Sequence, residues 1–157
     1  MLAFEYMAAT VAETSGRPAP ARAEDLPRLL RDECAGLVAV YRAPGTFLLA
    51  YARGQAIPVG CAGLAARGEH TAEVKRVYVR PAYRGAGIAR DLMASVHEHA
   101  ARAGLRTLIL DVLTSRVHVI TFYRRLGYTD TEPFPTTSPL PMVYLRRRVG
   151  PADLRLP

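Results

Sequence analysis

Tryptophan is absent from this chain of 157 residues, cysteine occurs twice, and Lys75 is the only lysine beside a large excess of arginine. Cys34 and Cys61 have no metal-ligand spacing and cannot build a disulfide framework. Cys34 falls in a predicted helix and Cys61 in a predicted strand. Both therefore read as small buried apolar residues, and no neighbouring feature activates either as a catalytic thiol. No apolar run reaches the ~18 residues that a bilayer crossing needs. The opening residues, MLAFEYMAATVAE, lack a basic start and are interrupted by Glu5 and Glu13, which argues against a secretory signal. The expectation is a soluble, cytoplasmic protein with no membrane partner and no metal. Aromatics make up 8% of the chain and are not interleaved with the basic residues, so a single-strand nucleic-acid platform is disfavoured despite the net charge of +7. The Arg146-Arg147-Arg148 run is the feature that a nucleic-acid module would use; an anionic small molecule accounts for the charge more simply.

Half of the residues are apolar, and the length suits one domain, 1–157, with a single core and no internal repeat. The stretch from Glu73 to Ala100 organises the rest. Val74 to Val79 is β-branched and aromatic and is stopped by Arg80-Pro81, which predicts a strand. Arg84-Gly85-Ala86-Gly87-Ile88-Ala89 then opens a helix whose apolar positions Ile88, Leu92, Val96, Ala100 and Ala103 recur at helical spacing, with Gly104 as its cap. The first N–H groups of a helix lack internal partners and sit at the positive end of its dipole. Glycines let a phosphate approach that backbone, and Arg84 adds a forked cation. A dinucleotide fingerprint would need three glycines directly after the strand, and a Walker loop would need a Gly-Lys-Ser/Thr ending. The sequence has neither.

The run VKRVYVRPAYRGAGIA resembles the central motif of the GCN5-related N-acetyltransferases (GNAT), Arg/Gln-x-x-Gly-x-Gly/Ala after a strand ending in Tyr-Val, with Arg84, Gly87 and Ala89 in those places. LRTLILDVL resembles the strand that follows in the family, and FYRRLGY its Tyr-x-x-x-Gly-Phe/Tyr signature. The likeness runs from Phe47 to Leu145, and the Glu-x-Lys-Arg-x-Tyr-Val opening is similar to a bacterial subgroup. It implies an α/β fold of the acyl-CoA N-acyltransferase type: a mixed, twisted sheet flanked by helices, here lacking the family's usual first strand. It also implies acetyl-CoA as co-substrate and an amine-bearing acceptor, with direct attack in a ternary complex.

Carried over residue by residue, the resemblance gives Val77, Tyr78 and Val79 to the pantetheine arm, through the main chain of the two valines. Arg84, Gly85, Ala86, Gly87, Ile88 and Ala89 fall to the pyrophosphate. Tyr123 takes the place of the acid beside the CoA sulfur, although a phenol near pKa ~10 is a weaker acid than a thiol near ~8.5. Glu73 is the candidate base; its competing reading is a surface carboxylate paired with Lys75 or Arg76. A histidine or water is the alternative base, with His118 on the Tyr123 helix and His70, His97 and His99 expected to face solvent. Arg116 and Val119 stand where the family often has Asn and Ala, so Arg116 is a candidate for a CoA phosphate or an acidic acceptor. The alternative to an enzyme is a non-catalytic acyl-CoA-binding or interaction domain.

The flanking elements follow from periodicity. Phe4, Met7, Ala8 and Val11 predict an N-terminal amphipathic helix, and Thr14 to Ala23 a loop. A second helix is expected with Asp25 as N-cap, Pro27 in its first turn, and Leu26, Leu29, Leu30 and Leu37 buried. Thr46 to Ala52 and Ile57 to Ala66 read as a hairpin around Arg53-Gly54-Gln55. Thr107 to Leu113 reads as a strand in a right-handed parallel unit with the central one. Thr114 or Ser115 would cap a helix from Arg116 to Leu126, ended by Gly127. Strands at Tyr128 to Thr131 and Met142 to Arg147 flank a loop from Glu132 to Pro141. In the resembling family the acceptor is shaped by regions that correspond here to Met7 to Leu37 and Glu132 to Pro141. A second subunit covering an unpaired sheet edge is the expected route to a homodimer.

Overall fold

The computed structural model describes residues 1–136 and 138–154. It contains α1 (Leu2–Ser15), α2 (Arg28–Ala35), α3 (Leu37–Val40), β1 (Thr46–Ala50), β2 (Gly60–Ala66), β3 (Thr71–Val79), α4 (Ile88–Arg102), β4 (Thr107–Leu113), α5 (Val117–Arg125), β5 (Thr129–Asp130) and β6 (Met142–Arg148). The six strands form one sheet in the order β1-β2-β3-β4-β6-β5, in which β3 and β4 are parallel and all other neighbours antiparallel. Among the described residues no strand precedes Thr46. No described helix is long and apolar enough to cross a membrane.

The core lies between the sheet and α4, where Leu92, Met93, Val96 and Ala100 meet Leu64, Val74, Leu108 and Leu110. These positions alternate along the strands and recur every three or four residues along the helix, so each element presents one apolar surface. Gly104 is left-handed at φ 73, as expected of the residue that ends α4. Cys61 is fully buried and its thiol donates to the Arg76 carbonyl at 3.3 Å. The side chain of Cys34 lies outside the described residues.

Several expectations shift on contact with tertiary structure. The buried stripe of α1 is Leu2, Ala3, Met7 and Ala8, whereas Phe4 and Val11 are half-exposed. Asp25 belongs to a separate 3-10 turn, and Pro27 occupies the N-cap of α2. Leu26 is buried and Leu30 half-buried; the side chains of Leu29 and Leu37 lie outside the described residues. The hairpin arms stop at Ala50 and start at Gly60, leaving Pro58 in the connection. Neither Thr114 nor Ser115 caps α5; the chain turns through an Arg116 N–H to Leu113 carbonyl bond of 2.9 Å, and Arg116 becomes the N-cap. Ala103 is exposed.

His97 is the larger correction. It was expected in solvent, but it is buried, with Nε2 at 3.1 Å from the Tyr128 hydroxyl. Burial, and then the nearby Arg147 guanidinium, lower its pKa from 6.5 to about 4. The folded protein thus leaves His97 neutral where the unfolded chain would protonate it. That contribution to stability is complete above about pH 6.5 and is lost as the pH falls toward about 4. Urea midpoints are expected to drop through this window in the native protein. In His97→Gln the drop should be visibly smaller; an unchanged slope would remove His97 as its cause.

Candidate functional site

The sheet is held together differently at its two ends. β3 and β4 pair only at Thr71–Thr107, Ala72–Leu108 and Glu73–Ile109, and beyond Glu73 they part. The cause is local: β3 carries one extra residue against β2, so that Arg76 and Val77 together oppose Ala62, and Arg76 adopts φ 58. Such a bulge bends its strand and strengthens the twist, here turning Val77 to Val79 away from β4. β4 meanwhile stays in register with β6 along its full length. The result is a wedge-shaped opening in the middle of the sheet, whose β3 side has main-chain groups without a strand partner.

A cleft of about 530 Å³ occupies this opening. Its floor is Val74 to Val77 of β3 and Asp111 to Leu113 of β4; its walls come from α1, from α5 with Val119 and Tyr123, and from Thr136, Ser138, Pro139, Leu140 and Met142. The regions expected to shape the acceptor, Met7 to Leu37 and Glu132 to Pro141, both contribute to these walls.

At the far end of β3 the chain turns through Pro81–Tyr83 into α4. Gly85 and Gly87 have φ 82 and φ 84, and a Cβ built on either would meet nothing within 4 Å. Glycine is required there by backbone conformation rather than by crowding within the protein. The open approach above the loop is available to an anion. The backbone N–H groups of residues 85–90 have no acceptor among the described residues; the first helical bond runs from Asp91 N–H to the Gly87 carbonyl at 3.1 Å. Arg84 is steadied by its Nε donating to the Val79 carbonyl at 3.0 Å, with its guanidinium 5.9 Å from the Tyr78 ring centre. Arg84, Gly85, Ala86, Gly87, Ile88 and Ala89 thus lie together as one cradle at the N-terminus of α4.

Tyr123 is 6% exposed and faces the cleft, with its ring 5.4 Å from that of Phe122 and 5.5 Å from that of Tyr128. Burial pushes its pKa upward; the nearby Tyr6 and Asp111 add to the shift and Arg116 opposes it. At neutral pH the phenol is therefore a proton holder and a hydrogen-bond donor.

Glu73 lies elsewhere than expected. Its side chain is fully buried, neither at the surface nor in the cleft lining. It binds Arg67 through Oε2 and Lys75 through Oε1, the latter at 3.0 Å. The pair with Lys75 is the competing reading of Glu73, here buried rather than at the surface; Arg67 joins it because the tight β2–β3 connection folds it back over the start of β3. Breaking a fully buried ion pair costs about 3–5 kcal/mol; here Glu73 is buried and Lys75 largely so, but Arg67 is half-exposed and can turn to water, so the cost is lower. Glu73→Gln is expected to show this reduced loss in a chemical denaturation curve; a loss within experimental error would show the cluster to be dispensable.

Arg116 is also committed. It donates to Glu13 at 2.6 Å and to Thr10 Oγ1 at 3.0 Å, fastening α5 to α1, with its guanidinium 5.9 Å from the Tyr6 ring centre. The structure thus pairs it with the exposed Glu13 carboxylate at the cleft wall. His118 and His70 are exposed, and His99 bonds the Pro44 carbonyl at 3.0 Å. None of the three lines the cleft.

Asp111 was missed. It is the one carboxylate lining the cleft among the described residues, and its Oδ2 accepts from Thr136 Oγ1 at 2.7 Å. The sequence did carry a signal: a single acid inside the otherwise apolar strand TLILDVL. No group of described residues is arranged to hold a metal ion.

Residues 8–128 match the sequence model of the acetyltransferase (GNAT) family. The chain belongs to that family. It is similar to the IAA acetyltransferase of Azospirillum brasilense, 33% identical over 61% of this chain and 62% of that protein, so the match spans less than two thirds of that relative's length. It is also 28% identical to an uncharacterized N-acetyltransferase of Schizosaccharomyces pombe over 73% of this chain and 71% of that one. The fold is that of a GNAT-family acetyltransferase from Staphylococcus aureus, with a TM-score of 0.74 at 17% identity over 93% of this chain and 91% of the other. A GNAT acetyltransferase of Elizabethkingia anophelis, solved with acetyl-CoA bound, gives a TM-score of 0.60 at 20% identity over 72% of this chain and 82% of its own. Within this family fold, the parted strands and the glycine cradle lie toward the same end of β3, the cradle following it through Pro81–Tyr83.

Proposed function

We propose that this protein transfers the acetyl group of acetyl-CoA to a primary amine by direct attack in a ternary complex, in the cytoplasm. The observation that carries the reading is the parting of β3 from β4 beyond Glu73, between a cradle of unpaired N–H groups and a buried tyrosine. The residues suit the co-substrate. Oriented N–H groups at a helix N-terminus fit a pyrophosphate, with Arg84 beside them. The β3 main chain at Val77 and Val79, with Tyr78 between, is the edge that would receive the amide-bearing pantetheine arm.

Acetyl-CoA supplies the activated thioester. In the balanced reaction a nitrogen–carbon bond forms, the thioester carbon–sulfur bond breaks, and the proton shed by nitrogen leaves with the free thiol. The chain's part is positioning and charge stabilisation. Tyr123, its proton held firmly by burial, donates a hydrogen bond to the departing sulfur; complete transfer to a thiolate near ~8.5 would be uphill. A backbone N–H of the β3 edge serves the developing oxyanion. Asp111, with Thr136 fixing its carboxylate, orients the amine nitrogen, while Glu73 acts behind it by holding Lys75 at the cleft floor.

The test is acetyl-CoA titration by calorimetry, followed by thiol release with a panel of amines. Binding with amine-dependent thiol release supports the enzyme; binding without release from any amine supports the non-catalytic alternative. Absence of binding removes both.

A further inference from the structure

We infer that His97 is a positioning residue for the proposed transfer: through Tyr128 it holds the Tyr123 ring so that its hydroxyl is aimed at the departing sulfur. This inference rests on the reading above and adds a residue to its machinery. Its starting point is how the Tyr123 hydroxyl is aimed. The side chain is buried, and no described residue is hydrogen-bonded to the hydroxyl. Its direction is therefore set by what the ring packs on. Two rings meet it: Phe122 at 5.4 Å and Tyr128 at 5.5 Å, the latter close to edge-on with 66° between the planes. Phe122 is the preceding residue of α5, so it moves with the same helix and fixes nothing relative to the rest of the fold. Tyr128 lies beyond the end of α5, and its N–H donates to the Tyr123 carbonyl at 3.1 Å. Ring and main chain thus join the same two residues. An edge-to-face pair has a preferred tilt, so holding one ring restrains the other.

Tyr128 is itself held from α4. Its side chain is fully buried, and a phenol hydroxyl that deep in a fold needs a partner. The partner is His97 Nε2 at 3.1 Å, with the ring centres 5.8 Å apart. His97 stands on α4 between Met93 and Ala100, both fully buried against the sheet, so the imidazole is referred to the packed core. Burial keeps it neutral at physiological pH, and the charged groups that bear on it, Arg147 and Asp153, are bonded to each other at 2.6 Å. A neutral imidazole meets the Tyr128 hydroxyl through one nitrogen and puts no full charge behind Tyr123. The same helix carries the glycine cradle at its N-terminus. One helix thus serves both places given to acetyl-CoA, the pyrophosphate directly and the sulfur through the His97–Tyr128–Tyr123 link.

The experiment measures kcat, acetyl-CoA affinity and tyrosine-ring NMR spectra in the native protein, His97→Leu, His97→Gln and Tyr128→Phe. His97→Leu and Tyr128→Phe each remove the bond; both are expected to lower kcat about tenfold with acetyl-CoA affinity unchanged in calorimetry. Tyr128→Phe keeps the ring in the core and serves where leucine at 97 unsettles the fold. Carbon-13-labelled tyrosine should show the Tyr123 ring resonances displaced in both variants. His97→Gln, whose amide can bond the Tyr128 hydroxyl, should restore most of kcat. A cycle with Tyr123→Phe decides between positioning and general loosening: once the hydroxyl is gone, His97→Leu should lower kcat no further. Effects that multiply in the double variant overturn the inference, because a loosened core would act with or without the hydroxyl. A kcat close to native in His97→Leu or Tyr128→Phe overturns it as well. Unmoved Tyr123 resonances do the same, and they are read without turnover. Displaced resonances in a protein that binds acetyl-CoA yet releases no thiol with any amine would instead overturn the functional reading, and the catalytic role of the link with it.

Discussion

Gly87→Val is expected to weaken acetyl-CoA binding by about a hundredfold, roughly 2.7 kcal/mol. Gly87 is the N-cap of α4 and sits at φ 84, a conformation that a β-branched residue adopts only at a cost of about 1–2 kcal/mol. A Cβ at this position would meet nothing within 4 Å in the protein, so the side chain enters the open approach where the proposed pyrophosphate lies. Two effects are therefore mixed: backbone strain and obstruction. Gly87→Asn separates them, because asparagine tolerates the left-handed region better while still filling the approach. Loss of affinity in both variants, with the asparagine form melting close to the native temperature, identifies obstruction of an anion site. Unchanged affinity in both would show the loop to be a structural turn only, and the proposed function would fall with it.

The second large effect is expected at Tyr123. Tyr123→Phe removes one oxygen and keeps the ring that packs on Phe122 at 5.4 Å and Tyr128 at 5.5 Å. Melting temperature and acetyl-CoA affinity should scarcely move. The kcat, in contrast, should fall by about a hundredfold or more, the scale associated with losing a positioned proton donor. The equal fall of kcat and kcat/KM would place the lost interaction in the transition state alone. A kcat within a few-fold of native, with thiol release still amine-dependent, would reduce Tyr123 to a packing residue and leave leaving-group stabilisation to the backbone.

The features that were legible in the sequence are those whose cause is local. β-branched residues ending at Arg80-Pro81 mark where β3 stops, and the glycines at 85 and 87 mark positive φ, because few other residues go there. Tyr123 was found through its neighbours in FYRRLGY. What escaped depends on contacts that no short window contains. Glu73 reads as a base or as a surface carboxylate paired with Lys75 or Arg76; its burial, and Arg67 turned back from the β2–β3 connection, appear only once the hairpin is folded. Arg116 looked available because Glu13 is 103 residues away. His97 was placed in solvent although Met93 and Ala100, three or four residues to either side, are both buried; a wider apolar stripe on α4 would have included it. Asp111 is a single acid in the otherwise apolar strand TLILDVL, and only the parting of β3 from β4 exposes it to the cleft. The parting of β3 from β4 could be expected only from resemblance, since the bulge at Arg76 has no glycine to announce it.

The bond between Arg116 and Glu13 also has a bearing on how the molecule is made. It joins residues 103 positions apart, and the Arg80–Glu5 pair spans 75. Contacts that close such long loops are entropically late, so the sheet and α4, with their nearer partners, should consolidate before α1 docks. On a ribosome adding about 5–20 residues per second, α1 would wait roughly 5–20 s for Arg116 to be synthesised, exposing Leu2, Ala3, Met7 and Ala8 meanwhile. Docking of α1 would thus be a late event, and the wall that it gives to the cleft would be fastened only after Arg116 had emerged.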